Sequence, residues 1–237
     1  VFQIDFDFID HELLIQADDG PVKTMALQPR SVADFYQNLF AHLAELDIDV
    51  KINTMPSEVA DAIPFEHDQQ HRSYDAEYAH RFWRTLLQAD RVLKEFRARF
   101  KGKCSPVHFF WGGFDLAVTR FSGRRAPEHP GGVPHLPDWI ARDAYSHEVS
   151  SCGFWPGNEA LMPYAAFYAY AYPEPAGFDK AKIRPAAAFY HSDLHEFVLP
   201  YDKVQEAPSP DTVLLEFLQS SYEAAADLGK WDRAALE

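Results

Sequence analysis

The chain opens on a strict alternation of apolar and polar residues. From Phe2 to Phe8 every second residue is Phe or Ile, and the residues between them are Gln or Asp. A period of two is typical of a β-strand with one buried face. Further apolar segments at Leu13–Ile15 and Val22–Leu27 follow after polar breaks, which predicts a strand hairpin with a third strand. A short strand is also predicted at Asp49–Asn53.

Three segments have the period of an amphipathic helix instead. Ser31 and Asp34 form a capping-box pattern at the start of a helix that extends to Leu46. The segment Asp75–Lys101 carries aromatic residues and Leu along one stripe, with Gly102 at its end. A last helix is predicted to begin at Ser209-Pro210, because proline suits the first turn of a helix.

The block from His108 to Glu174 concentrates aromatic residues in strand-like segments. Alternation near its end places Tyr168, Tyr170 and Tyr172 on one face of a strand, with alanines on the other. Small alanines allow a helix to pack closely, whereas a row of tyrosines suits the wall of a half-polar ligand pocket. A solvated outer face of an antiparallel sheet is the alternative interpretation.

The first part of this block, His108–Arg124, is predicted to be a strand that Gly112 and Gly113 interrupt with a bulge or a close backbone approach. Asp115 and Arg120 fall on opposite faces of it. A charge in so apolar a strand requires a partner, since an unpaired buried charge is costly. Asp115 therefore either lines a pocket or forms an ion pair with an arginine that joins two strands.

Composition sets the class of protein. The 237 residues are 47% apolar, which suits a single domain over residues 1–237, and the net charge of -14 argues against a nucleic-acid partner. No run of about 18 apolar residues predicts a membrane span. The two cysteines are too few for a disulfide framework and are expected to be reduced, so a cytoplasmic bacterial protein fits best. The oligomeric state is not defined by these features.

The segment Ala126–Asp138 is rich in proline and glycine, so it is predicted to be a loop. Because it connects two pocket-like segments, it is a candidate lid over a ligand site. A flexible connector is the alternative.

Two histidines, His67 and His71, have the i and i+4 spacing that could hold a divalent metal on one helix face. Pro64 precedes them and the helical stripe begins only near Asp75, so a polar loop is the favoured interpretation. No cofactor is otherwise implied, and the usual glycine-rich nucleotide loops are absent from the sequence. The segment Tyr190–Glu196 contains Ser, His and Asp, but it lacks the turn that a serine nucleophile requires.

His147 and Glu148 are candidate acid–base groups. As neighbours in a strand they point to opposite faces, so only one of them can join the tyrosines. In an aromatic pocket, desolvation would shift the pKa of such a group. Glu174 is the candidate partner in acid–base chemistry, and Arg120 is the candidate group for orienting an anionic substrate. A hydrogen-bonded strand histidine is the alternative interpretation of His147.

Several long segments resemble the family called domain of unknown function 5996, a group of uncharacterised bacterial proteins. The resemblance is carried by Phe2–His11, Ser105–Arg124, Ala144–Gly157, Phe167–Phe178 and Glu196–Val204. It covers nearly the whole chain and implies a single folded unit, usually with a further N-terminal segment. It implies no activity, cofactor or catalytic residue.

Together these observations predict an α+β fold in which an antiparallel, aromatic-rich curved sheet packs against about three main helices. The leading functional hypothesis is an enzyme acting on a small molecule. Its predicted substrate-binding residues are Trp111, Asp115, Trp155, Tyr168, Tyr170 and Tyr172. The alternatives are a non-catalytic small-molecule-binding protein and a module that docks a protein partner through the same aromatic residues.

Overall fold

A computed structural model describes residues 1–18, 20–59 and 61–237. The chain separates into two compact units, Val1–Thr85 and Leu86–Glu237. Each unit has its own antiparallel sheet, and the two are described in turn. The single domain expected over residues 1–237 stays a prediction.

The first unit is a three-stranded antiparallel sheet followed by a helix. Its elements are β1 (Phe2–Asp7), β2 (Glu12–Ala17), β3 (Val22–Ala26) and α1 (Val32–Glu45). Leu13 and Ile15 on β2 are fully buried together with Leu43 of α1. The Ser31 side chain accepts a hydrogen bond from the backbone N–H of Asp34, as the capping pattern predicted. The predicted hairpin and its third strand are confirmed.

The predicted strand at Asp49–Asn53 is wrong. This segment is extended, but it pairs with no strand in the described part of the chain. Ile48 and Val50 pack as partly buried side chains against the core of the first unit. Their apolar pattern therefore reflects packing of a connecting segment and not a ladder of backbone hydrogen bonds.

The second unit contains a six-stranded, wholly antiparallel sheet in the order β4-β5-β6-β7-β9-β8. Helix α2 (Ala76–Ala98) crosses the division between the units. The remaining elements are β4 (His108–Phe110), β5 (Asp115–Arg125), α3 (Asp138–Ala144), β6 (His147–Trp155), β7 (Ala166–Tyr172), β8 (Phe189–His191), β9 (Glu196–Pro200), α4 (Tyr201–Gln205), α5 (Pro210–Leu228) and α6 (Arg233–Leu236).

One face of this sheet forms the core beneath the helices. Val118, Cys152 and Ala169 lie side by side across β5, β6 and β7, and all three are buried. Helix α5 packs on β6 and β7 with Phe217 and Leu218 fully buried. Because alanine leaves the backbone of β7 open to a close helix, the prediction that the alanine face carries helix packing is confirmed.

The segment His108–Arg124 is a hairpin and not one bulged strand. Strands β4 and β5 pair with Phe110 opposite Asp115, and Gly112 and Gly113 lie in the turn between them. Phe114 completes the turn in the left-handed region, with a φ of 61°. Asp115 and Arg120 nevertheless lie on opposite faces of β5, as predicted.

The α+β class is confirmed, with two antiparallel sheets where one was expected. Three helices have fourteen or more residues, namely α1, α2 and α5. In the described part of the chain, no helix combines the length and apolar character needed to cross a membrane.

Candidate functional site

The face of the six-stranded sheet that is opposite to α5 carries the tyrosine row. Ala117, Gly153, Tyr168 and Val198 lie side by side across β5, β6, β7 and β9 on this face. The alternation of side chains then places further polar groups on the same face. They are Asp115, Thr119, Ser151, Tyr170, His191 and Glu196.

A hydrogen bond joins Tyr168 of β7 to Asp115 of β5. The Tyr168 hydroxyl donates to Oδ2 of Asp115, and its ring extends across the intervening strand β6 at Gly153. A Cβ atom at Gly153 would lie 2.6 Å from the Tyr168 hydroxyl oxygen and 2.2 Å from the Leu116 carbonyl oxygen. Only glycine therefore leaves room for the phenol to reach the carboxylate.

Two carboxyl groups share this environment. Burial raises the pKa of Asp115, and the hydrogen bond from Tyr168 opposes part of that rise. Burial also raises the pKa of Glu196 to about 8, and repulsion from the Asp115 charge adds to the rise. At neutral pH, Glu196 is therefore mostly protonated and can donate a proton.

His191 lies beside Glu196. The two residues face each other across β8 and β9, so their side chains emerge on the same side of the sheet. The Nδ1 atom of His191 is buried and has no hydrogen-bond partner in the described part of the chain. A buried polar atom without a partner is uncommon in folded proteins.

A hydrogen-bonded wall continues the site along β7. Tyr170 stacks on Tyr168 with ring centroids 6.2 Å apart, and its hydroxyl is 2.8 Å from the hydroxyl of Tyr145. Burial raises the pKa of Tyr168 and of Tyr170 well above the usual value. Both phenols therefore stay neutral, and they act as hydrogen-bonding groups and not as anions.

The loop 126–137 contacts the end of this wall. The ring of His129 stacks on Tyr145 at 4.8 Å, and the Tyr172 hydroxyl donates to the carbonyl oxygen of Pro127 at 3.1 Å. Arg142 of α3 forms an ion pair with Glu128 at 3.1 Å. The segment is a loop, as predicted, and these contacts place it beside Tyr145 and Tyr172. Its role as a lid stays a prediction.

Glu148 does not join the tyrosines. Its Oε2 atom accepts hydrogen bonds from the Ser122 hydroxyl at 2.8 Å and from Arg124 at 2.6 and 2.9 Å. Arg124 also donates to the carbonyl oxygens of Gly229 and Lys230 after α5, which places Glu148 on the helix side of the sheet. His147 contacts the hydroxyl of its neighbour Ser146 at 3.1 Å.

Glu174 lies outside the tyrosine wall. Strand β7 ends at Tyr172 because Pro173 has no N–H for the ladder, and Glu174 follows as an exposed residue. Its carboxylate accepts a hydrogen bond from the Tyr190 hydroxyl at 2.6 Å and lies 3.8 Å from Nδ1 of His195. The structure therefore does not bring Glu174 together with His147 or Glu148.

Arg120 lies on the core face and not on the tyrosine face. It is 1% exposed, and its guanidinium carbon is 3.4 Å from the ring centroid of Phe96 and 4.4 Å from that of Tyr222. One Nη2 hydrogen bond goes to the Phe96 carbonyl oxygen, and burial lowers the pKa of the side chain. An anion bound against Tyr168 would be on the other side of the sheet from this charge.

The two tryptophans differ in their surroundings. Trp155 is partly buried beside Met162, and its indole N–H donates to the Gly113 carbonyl oxygen at 3.0 Å. Trp111 lies in the β4–β5 turn, 64% exposed, with its ring 5.1 Å from that of Phe109. Trp155 thus lies at one end of the sheet, and its hydrogen bond to Gly113 connects it to the turn that contains Trp111.

His67 and His71 do not share a helix face. His67 ends a 3-10 helix (Phe65–His67), and His71 follows in an irregular segment where its Nδ1 atom lies 2.8 Å from Asp68. The His71 carbonyl oxygen accepts from the backbone of Val32 at the start of α1. Among residues 1–18, 20–59 and 61–237, no group of three or more His, Cys, Asp or Glu side chains is arranged to hold a metal ion.

Sequence reasoning missed Glu196, His191, Tyr145 and Gly153 as members of this surface. The segment that contains His191 and Glu196 has the residue types of a catalytic triad, but the sequence lacks the turn that a serine nucleophile requires. His191 and Glu196 join this surface because of the strand order. Strand β9 is the neighbour of β7 although more than twenty residues separate them in the chain. No local pattern predicts which strand pairs with which.

The fold and this surface define an α+β protein whose six-stranded sheet presents a carboxyl, phenol and imidazole cluster on one face. The chain belongs to the family of unknown function DUF5996, which it matches over residues 1–237. Neither the curated proteins nor the solved structures include a significant match to it.

Proposed function

We propose that this protein is an enzyme that transfers protons on a neutral small molecule bound against the tyrosine face. The observation that carries the proposal is the hydrogen bond from Tyr168 to Asp115 on the face that also holds Glu196. Two buried carboxyl groups beside a neutral phenol are elements of general acid–base catalysis.

The roles of Glu196, Asp115 and His191 follow from their positions and from the raised pKa of Glu196. Glu196, with a pKa of about 8, is protonated at neutral pH and acts as the acid. Asp115 accepts the substrate proton from its position beside Tyr168, whose hydrogen bond opposes the rise that burial causes in the pKa of this carboxyl group. His191, which lies opposite Glu196 across β8 and β9, contacts the substrate next to Glu196.

The substrate is a neutral molecule with a flat apolar part. Tyr168 and Tyr170 offer stacked rings for such a part, and the two carboxyl groups oppose a bound anion. Arg120 does not compensate, since its guanidinium group is enclosed by Phe96 and Tyr222 on the other face. This replaces the expectation that Arg120 orients an anionic substrate.

A deuterium-exchange screen tests the proposal. The protein is incubated in D2O with a panel of neutral cyclic and aromatic carbonyl compounds, and mass spectrometry detects deuterium that is incorporated into carbon positions. We expect at least one compound to exchange with the wild-type protein and to lose at least about a hundredfold in rate with Asp115→Asn. Tyr164→Phe is the matched control, because Tyr164 is 41% exposed and precedes β7.

The outcome against the proposal is equal exchange with the wild-type protein and with both Asp115→Asn and Glu196→Gln. A compound that binds without exchanging supports the non-catalytic binder instead. A partner-docking module is the other candidate, and Trp139 favours it because this large aromatic side chain is 67% exposed on α3.

A further inference from the structure

A small, partly open cavity lies where β6 begins and β7 ends, next to the C-terminal end of α5. It has a volume of about 220 Å³, and its lining includes Glu148 and Ala171 of the helix side together with Val149 and Tyr172 of the other face. Its walls include Val149, Ala171, Pro173, Leu228 and Trp231. These walls combine apolar side chains with accessible polar atoms, and a cavity below the roughly 300–1,000 Å³ of drug-sized sites suits a small ligand.

Glu148 is the ionisable group of this cavity. Its side chain is 18% exposed. The hydrogen bonds from Ser122 and Arg124 all go to Oε2, and Oε1 accepts none in the described part of the chain. One oxygen of a carboxylate that lines the cavity is therefore available to a ligand that donates or carries positive charge.

The other charges near the cavity do not offer a site for an anion. Arg124 uses its N–H groups on Glu148 and on the carbonyl oxygens of Gly229 and Lys230. Among the lining residues there is no Lys, Arg or His. The C-terminal end of α5 adds the negative end of the helix dipole. The cavity therefore favours a cation.

We propose that this cavity binds a small organic ammonium ion. Its charged end contacts Oε1 of Glu148, and its methyl or methylene groups contact Trp231 and Pro173. The indole of Trp231 adds to the preference for a cation, because the face of an indole ring attracts ammonium groups. This site is separate from the proposed proton-transfer site, since none of Asp115, Tyr168, His191 and Glu196 lines the cavity.

Three probes of the same shape and different charge test the proposal. Tetramethylammonium, tert-butanol and pivalate are titrated into the intact protein, and the indole N–H signal of Trp231 is followed by NMR. The chain has five tryptophans, so Trp231→Phe identifies this signal. We expect tetramethylammonium to bind at least about tenfold more tightly than tert-butanol, and pivalate to bind least.

Matched variants then locate the charge effect. Glu148→Gln is expected to remove the preference for tetramethylammonium over tert-butanol. Glu216→Gln, an exposed change on the outside of α5, is expected to keep it. The proposal is overturned if Trp231 does not respond to tetramethylammonium, or if pivalate or tert-butanol binds at least as tightly in the wild-type protein. The wild-type comparison decides the question even where Glu148→Gln does not fold.

Discussion

Tyr168 reaches Asp115 across a neighbouring strand, and Gly153 is the residue that it passes. The phenol belongs to β7 and the carboxylate to β5, while Gly153 lies on β6 between them. Three strands thus contribute to one hydrogen bond. The contact fixes the Tyr168 side chain against a poorly hydrated carboxyl group, whose pKa burial raises and the Tyr168 hydrogen bond lowers.

Removing the Tyr168 hydroxyl will test this relationship. In Tyr168→Phe, the carboxylate of Asp115 loses its side-chain donor, so we expect its pKa to rise further and the free energy of unfolding at pH 7 to fall by about 1–3 kcal/mol. Carboxyl carbon NMR measures the first effect and urea denaturation measures the second. Tyr164→Phe, which removes an exposed hydroxyl, should change neither. An unchanged Asp115 titration in Tyr168→Phe would contradict the assignment.

Gly153 supplies a second and independent test. A methyl group there would lie 2.2 Å from the backbone carbonyl oxygen of Leu116, which cannot move without distorting β5. We therefore expect Gly153→Ala to lower the free energy of unfolding by about 2–4 kcal/mol in urea denaturation. Ser151→Ala on the same strand removes only a hydroxyl that lies 2.9 Å from Thr119 and should cost less. Equal losses in the two variants would show that the space over Gly153 is unimportant.

Glu196 should make the stability depend on pH. Its pKa is about 8 in the folded protein against 4.5 in the reference state, so the folded protein binds more protons between these values. The free energy of unfolding then falls as the pH rises from about 5 to about 8, by at most about 1.4 kcal/mol per pH unit. Glu196→Gln should remove this part of the slope and leave the variant more stable than the wild-type protein at pH 9.

Denaturation curves at pH 5, 7 and 9 provide the measurement. Asp115, whose pKa is also raised, contributes a slope of the same sign in the wild-type protein and in the variant. Glu216→Gln serves as the control on an exposed helix position. If Glu196→Gln keeps the wild-type slope up to pH 8, the carboxyl group is hydrated and cannot be the acid of the proposed site.

Local patterns predicted the elements but not the neighbours. The alternation from Tyr168 to Tyr172 correctly separated a helix-packing face from a tyrosine face, since strand side chains alternate strictly. The pairing of β7 with β9 depends on contacts between distant segments, so Glu196 could not be placed beside Tyr168 in advance. The glycines of the His108–Arg124 segment do interrupt the strand, but they form a turn where a bulge was predicted. Glycine is common in both, so the sequence does not distinguish them.

Charged residues were the least predictable part of the site. Asp115 needed a partner, and an arginine was one expected solution, yet a tyrosine two strands away provides it. Arg120 was expected at a substrate, but rings of α2 and α5 surround it instead. In both cases the partner comes from another element, and the sequence alone does not indicate which element packs there.

Arg120 is expected to contribute through packing more than through charge. Its guanidinium group lies between aromatic rings, and its Nε atom has no hydrogen-bond partner in the described part of the chain. Arg120→Met retains an unbranched chain of similar length and removes an incompletely paired buried charge, so we expect stability within about 1 kcal/mol of the wild type. Arg120→Ala leaves a cavity and should cost about 3–5 kcal/mol. Urea denaturation of both variants is the measurement, and equal losses would show that the charge dominates.

The loop 126–137 should open when Tyr145 is removed. The ring of Tyr145 stacks on His129 of the loop, and its hydroxyl contacts Tyr170 of the sheet. In Tyr145→Ala both contacts disappear, so we expect cleavage after Glu128 by a glutamate-specific protease to become several-fold faster, because proteolysis follows local opening. Tyr164→Ala is the control, since this exposed tyrosine lies outside the loop. A cleavage rate in Tyr145→Ala equal to that of the wild-type protein would mean that the loop is held by its other contacts, such as the ion pair between Glu128 and Arg142.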